Sequence, residues 1–359
     1  MKKAIVLGCG LVGSAIVRDL AADEDFVVTA ADSAEKSLEA VSNVPGVNRI
    51  QRDLGNSALV QDLVSDFDVV LGALPSRLGL ATLRAVIESG KPYADISFMN
   101  DDPLQLNDLA RAKGVTAVVD CGVAPGLANM IIGHCSAELD EVERAEYLVG
   151  GLPKPRYWPY QYRATFSPFD VIEEYLRPAR MVEDGRVVVK PALSDPELIT
   201  FPKVGTLEAF NTDGLRSLIK TVPAKNMKEK TLRYPGHRDL MCVLRDTGFL
   251  GKERIEVNGT SVVPLDVTAK LLFPMWTRPP GEPEFTLLRV LVEGSSDGQK
   301  RRYTYDLYDE YDPIKDMTSM ARTTGFPCAI VARRLVDGSL RMPGIQPPEM
   351  LGKNEGMLA

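Results

Sequence analysis

A glycine-rich segment near the amino terminus constrains the fold more than any other feature of the sequence. The apolar run from Lys3 to Leu7 is typical of a buried parallel strand, and the residues that follow it, 8–13, read GCGLVG. Residues 14–20 then have the pattern of a helix. A G-x-G-x-x-G between a strand and a helix is the fingerprint of a dinucleotide-binding βαβ unit, so we predict that the chain begins with one.

Each glycine of this segment has its own physical reason. Gly8 permits a tight turn, Gly10 lets the backbone approach a pyrophosphate, and Gly13 lets the helix pack closely on the strand. The helix begins at this loop, so its unpaired N–H groups and its dipole favour a phosphate there. The alternative is a Rossmann-like fold that keeps the glycine turn without the ligand.

The end of the second expected strand bears on the choice of cofactor. That strand covers residues 26–31 and leads to Asp32, which follows the glycines by about 20 residues, as the fingerprint requires. A carboxylate here accepts hydrogen bonds from the adenosine ribose and repels a 2′-phosphate, and Ser33 follows where NADP-selective proteins often carry Arg. We therefore expect NAD. Lys36 is near enough to leave NADP open, and a plain surface aspartate is the remaining alternative.

Strand and helix patterns alternate as far as about residue 120. Further strands are expected at 47–53, 68–74, 93–97 and 115–120, together with a helix at 78–89 that Gly90 ends. Ligands of such sheets bind outside the carboxyl ends of the strands, so the loops there converge on one crevice. The residues expected to contact the cofactor are Gly8, Gly10, Leu11, Val12, Gly13, Asp32, Asp53, Leu54, Ala73, Leu74, Pro75, Ser97, Cys121 and Gly122.

The regular alternation stops after about residue 130. The middle of the chain mixes β-type runs with proline-rich loops such as 150–155, and helical spacing returns at 317–335. We therefore predict an α/β fold, a Rossmann doubly wound parallel sheet with an inserted α+β substrate and dimerisation domain. The expected division is 1–130, 131–311 and 312–359, the last part returning to pack on the dinucleotide-binding domain.

Composition excludes several classes of protein. The net charge of −7 argues against a nucleic-acid or anionic-membrane partner, and no apolar run approaches the roughly 20 residues that span a bilayer. The five cysteines form no C-x-x-C pair, and the chain has only two histidines. We therefore expect a cytoplasmic protein without a disulfide framework and without a metal site.

Several stretches together resemble the saccharopine dehydrogenase-like family, most closely its lysine 6-dehydrogenases. Besides the glycine start, they are PYADIS at 92–97, APGLAN at 124–129, VGGLP at 149–153, LEAFNTDGL at 207–215 and KEKTLRYPGH at 228–237. The last two are the most specific. Saccharopine reductases usually carry Asn-Arg-Asp where this chain has Asn211, Thr212 and Asp213, and that Arg grips a carboxylate of the glutamate moiety. Its absence here fits a smaller amino acid.

The resemblance implies an enzyme that uses NAD to remove the ε-amine of L-lysine. The product is 2-aminoadipate 6-semialdehyde, which cyclises to piperideine-6-carboxylate, and ammonia is released. The resemblance also implies a homodimer or higher homo-oligomer. A saccharopine or carboxynorspermidine dehydrogenase is one alternative, and an NAD-binding homologue without turnover is another.

Lysine oxidation needs a base, because the ε-ammonium has a pKa near 10.4 and must lose its proton first. Asp95 is the first candidate, with capping of the next turn as the alternative. His237 is a second, with a structural histidine beside a Pro-Gly turn as the alternative. Arg233 suits a bidentate carboxylate clamp, or it ties two loops together. Thr212 and Asp213 are expected to hold the α-ammonium, although turn-capping explains them almost as well.

Overall fold

A computed structural model describes residues 1–354 and 356–358. The chain divides into two compact units, one formed by residues 1–137 together with the chain from Met320 onward, and the other by Glu138–Ser319. The first unit opens with alternating strands and helices: β1 (Lys2–Leu7), α1 (Leu11–Ala21), β2 (Phe26–Asp32), α2 (Glu35–Glu39), β3 (Asn48–Gln51), α3 (Ser57–Val64), β4 (Val69–Gly72), α4 (Ser76–Glu88), β5 (Tyr93–Asp95), a 3₁₀ turn (Pro103–Leu106), α5 (Asn107–Ala112), β6 (Thr116–Val118) and α6 (Leu127–Ala137).

The second unit follows without this alternation. Its elements are β7 (Glu141–Pro153), α7 (Pro168–Leu176), β8 (Ala179–Glu183), β9 (Arg186–Lys190), β10 (Glu197–Phe201), β11 (Gly205–Asn211), α8 (Leu218–Thr221), β12 (Ala224–Arg233), α9 (His237–Asp246), β13 (Ile255–Val257), β14 (Thr260–Val262), α10 (Pro264–Trp276), β15 (Glu284–Ser296) and β16 (Gln299–Glu310). The chain then returns to the first unit with α11 (Ser319–Asp337), β17 (Gly344–Gln346) and α12 (Pro348–Gly352).

The sheet of the first unit is parallel, in the order β17-β6-β5-β4-β1-β2-β3. Strand β1 ends in a fully buried run, Ala4 to Leu7, because helices cover both faces of the sheet. On one side β1 packs with α1 and α11, and on the other with α3 and α4. The predicted Rossmann sheet is confirmed. The returning segment supplies β17 as well as the expected helix, since β17 pairs with β6.

The sheet of the second unit is mixed. Its order is β10-β11-β12-β7-β15-β16, and the β8–β9 hairpin is joined to β12. Strand β12 runs parallel to β7, whereas β15 is antiparallel to it. The core beside this sheet contains Tyr175 of α7, Phe210 of β11 and Trp276 of α10. The prediction of an inserted domain with a mixed sheet is therefore confirmed.

One local prediction is wrong. Residues 150–155 were expected to form a proline-rich loop, but β7 continues to Pro153 and pairs with β15 along its length. A Cβ built on Gly150 would lie 2.7 Å from the carbonyl oxygen of Leu232 in the neighbouring strand. Glycine is required here because two strands approach closely, and the same residue type had suggested a turn.

Candidate functional site

The glycine loop of the first unit has the geometry of a phosphate cradle. Gly8 has φ +96°, and a Cβ on it would overlap the carbonyl oxygen of Ala73. A Cβ on Gly13 would overlap the carbonyl oxygen of Gly8, so α1 packs directly on the turn. Gly10 differs, because a Cβ built on it meets no heavy atom within 4 Å among the described residues. Gly8 and Gly13 thus allow close packing, and Gly10 leaves open space above the loop.

The beginning of α1 leaves its amide groups available to a ligand. Gly10 is the N-cap of this 11-residue helix, and no side chain in the described part of the chain caps it. The first amides of a helix have no partner within the helix and carry a partial positive charge, which favours a phosphate. These residues therefore fit the pyrophosphate of a dinucleotide, with Leu11 and Val12 in the first turn.

Asp32 lies at the carboxyl end of β2, against the glycine loop. Its Oδ2 accepts a hydrogen bond of 2.8 Å from the N–H of Cys9, and its Oδ1 accepts one of 2.8 Å from the N–H of Ala34. Each carboxylate oxygen retains a lone pair for the hydroxyl of a ribose. Burial, with a further contribution from Asp32, raises the pKa of the Cys9 thiol to about 11. Cys9 is therefore an unreactive residue beside the loop.

The other residues expected at the cofactor site follow the neighbouring strands. Ala73 donates its N–H to Leu7 beside the glycine turn, and Cys121 donates to the carbonyl of Asp95. Asp53 is exposed and accepts a hydrogen bond of 2.9 Å from the N–H of Gly55. The remaining expected residues lie at the carboxyl ends of β3 to β6 or directly after them: Leu54, Leu74, Pro75, Ser97 and Gly122.

Asp95 is the end of β5 and is fully buried, with 0% of its surface exposed. Its Oδ1 accepts a hydrogen bond of 2.8 Å from the N–H of Ser97, and its Oδ2 has no hydrogen-bond partner among the described residues. Burial raises the pKa of this carboxyl to about 7, and the charge of Asp120 adds to the effect. The contact with Ser97 is a local turn directly after β5, and the capping through residues 100–102 that was the alternative to catalysis stays a prediction.

Arg233, at the end of β12, is the centre of a polar cluster in the second unit. Its side chain is 3% exposed. Its Nε donates to the hydroxyl of Tyr175 at 3.0 Å, one terminal nitrogen donates to the Leu232 carbonyl at 2.9 Å, and the other lies 3.4 Å from Oε2 of Glu174. The guanidinium also lies 4.6 Å from the centre of the Tyr162 ring. We use the name Arg233 cluster for five residues in mutual contact: Tyr162, Glu174, Tyr175, Arg233 and His237.

His237, the first residue of α9, has both ring nitrogens engaged. Nδ1 lies 2.8 Å from the carbonyl oxygen of Tyr160, and Nε2 lies 3.0 Å from the hydroxyl of Tyr175. A carbonyl only accepts, so Nδ1 carries the proton and Nε2 accepts from Tyr175, which in turn accepts from Arg233. Burial, together with the Arg233 charge, lowers the pKa of His237 to about 3. His237 is thus a neutral anchor of the Arg233 cluster.

Thr212 occupies the position at which saccharopine reductases usually carry arginine. Its hydroxyl lies 2.9 and 2.7 Å from the two carboxylate oxygens of Glu229 and 2.8 Å from the hydroxyl of Thr231. The N–H of Gly214 donates to the same carboxylate at 3.0 Å. Burial raises the pKa of Glu229 to about 8, and the charge of the nearby Glu174 contributes. Thr212 is therefore committed to a buried acid.

Asp213 is paired with a cation. Arg180 donates to its two carboxylate oxygens from Nε and a terminal nitrogen, both at 2.9 Å, and the N–H of Arg180 donates at 3.1 Å. Arg177 also interacts with Asp213: burial and the charge of Arg216 lower the pKa of Arg177, and the charge of Asp213 opposes this shift. Asp213 thus interacts with Arg180 and with Arg177.

The structure brings Thr212, Asp213, Arg233 and His237 into one region of the second unit. Sequence reasoning missed Glu229, although it lies within the KEKTLRYPGH motif. The period of a strand places residues 229, 231 and 233 on the same face of β12, and that signal was available. It also missed Glu174, which lies on the amphipathic helix α7 and has no motif around it. Cations and acids side by side suit a zwitterionic ligand such as an amino acid.

In the residues that the structure describes, no helix is both long and apolar enough to cross a membrane. Within the same residues, no group of three or more His, Cys, Asp or Glu side chains is arranged to hold a metal ion.

Several known proteins are similar to the chain over most of its length. "Alpha-aminoadipic semialdehyde synthase, mitochondrial" of Mus musculus is 24% identical, covering 97% of this chain and 45% of the mouse protein. The chain therefore spans less than half of that relative. "Saccharopine dehydrogenase [NADP(+), L-glutamate-forming]" of Schizosaccharomyces pombe is 22% identical, and the match covers 97% of this chain and 94% of the S. pombe protein. "Carboxyaminopropylagmatine dehydrogenase" of Synechocystis sp. is 23% identical, and the match covers 96% of this chain and 92% of the Synechocystis protein.

The fold is also found in a solved structure. Apo saccharopine dehydrogenase (L-Glu forming) from Saccharomyces cerevisiae superposes with a TM-score of 0.81 at 19% identity, covering 99% of this chain and 96% of the yeast chain. Two family descriptions match the sequence itself. "Saccharopine dehydrogenase NADP binding domain" matches residues 4–118, and "Saccharopine dehydrogenase C-terminal domain" matches residues 122–358. The second match alone covers more than half of the chain, so the protein belongs to the saccharopine dehydrogenase family.

Proposed function

We propose that the protein is an NAD-dependent oxidoreductase that oxidises the ε-amine of L-lysine. The observation that carries the choice of lysine is Thr212, whose hydroxyl is committed to buried Glu229 at the position of the reductase arginine. Saccharopine is lysine whose ε-nitrogen carries a glutaryl group, so its site must neutralise carboxylates that lysine lacks. A buried carboxylate without a partner costs several kcal/mol, enough to exclude the larger substrate. The similarity to amino-acid and amine dehydrogenases supports the reaction class.

Asp32 supports NAD over NADP, although the matching family description and the yeast relatives are named for NADP. Its carboxylate is fixed at the end of β2 by the N–H groups of Cys9 and Ala34, and it would repel a 2′-phosphate. Gly8, Gly10 and the first amides of α1 would hold the pyrophosphate. When bound, the nicotinamide supplies a hydride acceptor.

The chain must supply the remaining tasks, which are to hold the substrate and to take a proton. Overall, lysine, NAD⁺ and water give the semialdehyde, ammonium, NADH and one proton. Arg233 carries a fixed positive charge and the planar fork that suits the α-carboxylate. Glu174 offers a carboxylate to an ammonium group of the substrate, and Asp213, which Arg180 already pairs, offers a second. Glu229, whose pKa is about 8, is mostly protonated at neutral pH. Partners for the carboxylate and for the ammonium groups of an amino acid are thus available in this region of the second unit.

Two carboxyl groups have a pKa of about 7, the value that suits a general base at neutral pH. One is Asp95, which was expected from the sequence and is fully buried. The other is Glu174, whose side chain is 22% exposed and contacts Arg233; burial raises its pKa and the Arg233 charge opposes the rise. Because a base must reach its substrate, we propose Glu174 as the proton acceptor and keep Asp95 as the alternative.

The test is an assay of the purified protein with NAD or NADP and with L-lysine or saccharopine, followed by absorbance of the reduced cofactor. We expect turnover with lysine and NAD. In the Glu174→Gln variant turnover should fall by roughly 10²-fold or more. Glu173→Gln is the matched control, because Glu173 is adjacent and pairs with Lys252 instead of Arg233. Equal activity of the two variants would remove Glu174 from the mechanism. Cofactor binding without turnover of either substrate would refute the proposal that the protein is a dehydrogenase for lysine or saccharopine.

One observation favours a second candidate, a dehydrogenase for saccharopine or a related carboxyalkyl amine. Burial lowers the pKa of Arg177, and the charge of Arg216 adds to the effect, so the two guanidinium groups interact. Neighbouring guanidinium groups attract carboxylates. Turnover with saccharopine and not with lysine would establish this function in place of the first. If it does, Arg177→Gln should raise the KM for saccharopine. The homodimer implied by the resemblance is tested separately, by light scattering of the purified protein.

A further inference from the structure

Helix α10 is apolar on two opposite faces. Its inner face is buried in the second unit and consists of Leu265, Ala269, Leu272 and Trp276. Trp276 packs edge-on against the ring of Tyr162, with 5.2 Å between the ring centres, so the rotation of the helix about its axis is fixed. The outer face carries Val267, Leu271 and Met275, each four residues from the next, and all three are exposed. Because a helix that is apolar all round is normally buried, we expect another surface to cover this outer face.

The neighbouring elements extend the outer face. Phe169 of α7 stands edge-on to Phe273 of α10, with ring centres 4.7 Å apart, and Phe169 is exposed. Phe249, which follows α9, is also exposed, and its carbonyl accepts a hydrogen bond of 2.7 Å from the hydroxyl of Thr268. Exposed aromatic rings of α7 and of the segment after α9 therefore lie beside α10.

Tyr157 borders the last turn of α10. The guanidinium of Arg163 lies 5.1 Å from the centre of the Tyr157 ring and also donates to the carbonyl of Met275. One side chain thus connects Tyr157 to the end of the helix. We use the name α10 surface for six exposed apolar or aromatic residues: Tyr157, Phe169, Phe249, Val267, Leu271 and Met275.

The α10 surface is large enough for a contact between proteins. Between 44% and 70% of each of its six residues is exposed. A large side chain has roughly 150–250 Å² of surface, so the six together present roughly 500–800 Å². A stable complex buries about 800 Å² on each partner, and roughly 60% of that area is apolar. The α10 surface therefore supplies the whole apolar share of one partner.

The charge and the spacing of α10 favour a second copy of this chain as the cover. The chain has a net charge of −7, so two copies repel each other where their acidic surfaces meet. The charged residues of α10 are one acid, Asp266, and one base, Lys270, so this helix adds no net charge. Val267 and Met275 each lie four residues from Leu271. Two α10 helices that cross antiparallel at Leu271 therefore bring Val267 of each chain against Met275 of the other.

We propose that the α10 surface is the interface of a homodimer, with a two-fold axis near Leu271. Such an interface is self-complementary, because the same patch serves both chains. The family resemblance implies a homo-oligomer but names no surface for it. The interface does not depend on the proposed oxidation of lysine.

The test is light scattering of the purified protein over a range of concentrations, which gives the Kd of the dimer. Leu271→Glu is the test variant and Leu198→Glu is its matched control, because Leu198 of β10 is 68% exposed and Leu271 is 70% exposed. We expect the Kd to rise at least roughly 100-fold in Leu271→Glu, since each dimer would bury two unpaired carboxylates. Leu198→Glu should leave the Kd unchanged. Far-ultraviolet circular dichroism checks that both variants are folded.

Crosslinking gives a second readout that needs no disruptive substitution. A short bismaleimide should join Leu271→Cys into a covalent dimer, whereas Leu198→Cys and the unaltered protein, whose five cysteines are buried or half-buried, should stay uncrosslinked. If Leu271→Glu fails to fold, this comparison still decides. Equal crosslinking of the two cysteine variants, or a dimer that persists unchanged in Leu271→Glu, would overturn the proposal. A monomeric unaltered protein would also overturn it, and would leave a different protein as the cover of the α10 surface.

Discussion

The neutral state of His237 can be tested directly, because the chain has only two histidines and their resonances are easily separated. The structure gives His237 a pKa of about 3 in the folded protein, against 6.5 for an unperturbed imidazole. Between these two values the unfolded chain binds a proton that the folded chain does not, so stability must fall as the pH falls. At 1.36 kcal/mol per pKa unit, the difference between the two pKa values lowers the free energy of unfolding by about 5 kcal/mol once the pH is below both.

The perturbation is His237→Gln, compared with the unaltered protein by urea unfolding at pH 7 and pH 5. The native chain should lose about 2 kcal/mol more than the variant over this interval, since the unfolded imidazole takes up its proton below about pH 6.5. Comparing the two proteins cancels the contributions of the buried carboxyls. A control substitution, His134→Gln, assigns the histidine resonances.

Nuclear magnetic resonance of isotope-labelled histidine provides the second readout. We expect His237 to remain neutral at pH 5 with its proton on Nδ1, as the contact with the Tyr160 carbonyl requires. In that state it holds Tyr175 and Arg233 in place and moves no proton. A resonance of His237 that titrates near pH 6.5 would refute the hydrogen-bond chain, and it would restore the histidine as an acid–base candidate.

Three other predictions concern single residues. Asp32→Ala should weaken the binding of NAD and reduce the discrimination against NADP, as measured by the Kd of each cofactor. If the unaltered protein binds NADP more tightly than NAD, this prediction is wrong. Asp95→Asn should preserve the melting temperature and cofactor binding, and turnover roughly 10²-fold lower would make Asp95 the base in place of Glu174. Arg233→Lys keeps the charge and loses the fork, so it should raise the KM for lysine more than it lowers kcat. An unchanged KM would mean that Arg233 only supports the packing of Tyr175.

The first unit was predictable because its signals are local. The strand, the glycine turn and the helix of residues 3–20 follow one another in the chain, and each is recognised from a few neighbouring residues. The same holds for Asp32 at the end of β2. Gly10, by contrast, was assigned to ligand approach from the fingerprint, and the open space above it was visible only in the structure.

The second unit shows where such reasoning ends. Residues 150–153 read as a loop because glycine and proline are turn formers, yet their pairing with β15 makes them a strand. Strand pairing depends on partners distant in sequence, and no local pattern encodes it. The sequence likewise favoured Asp95 for the base, without any sign of its complete burial.

What the sequence by itself determined is the set of residue types available for chemistry: the glycine loop, the aspartate at the strand end, Thr212 in place of arginine, and Arg233 within a specific motif. Only the tertiary structure decided their states. Arg233 and Tyr175 are 58 residues apart, and His237 is 62 residues from Tyr175, yet the three form one buried chain of hydrogen bonds. Burial and the charge of Arg233 set the pKa values of His237 and Glu174, and both arise from packing between distant segments.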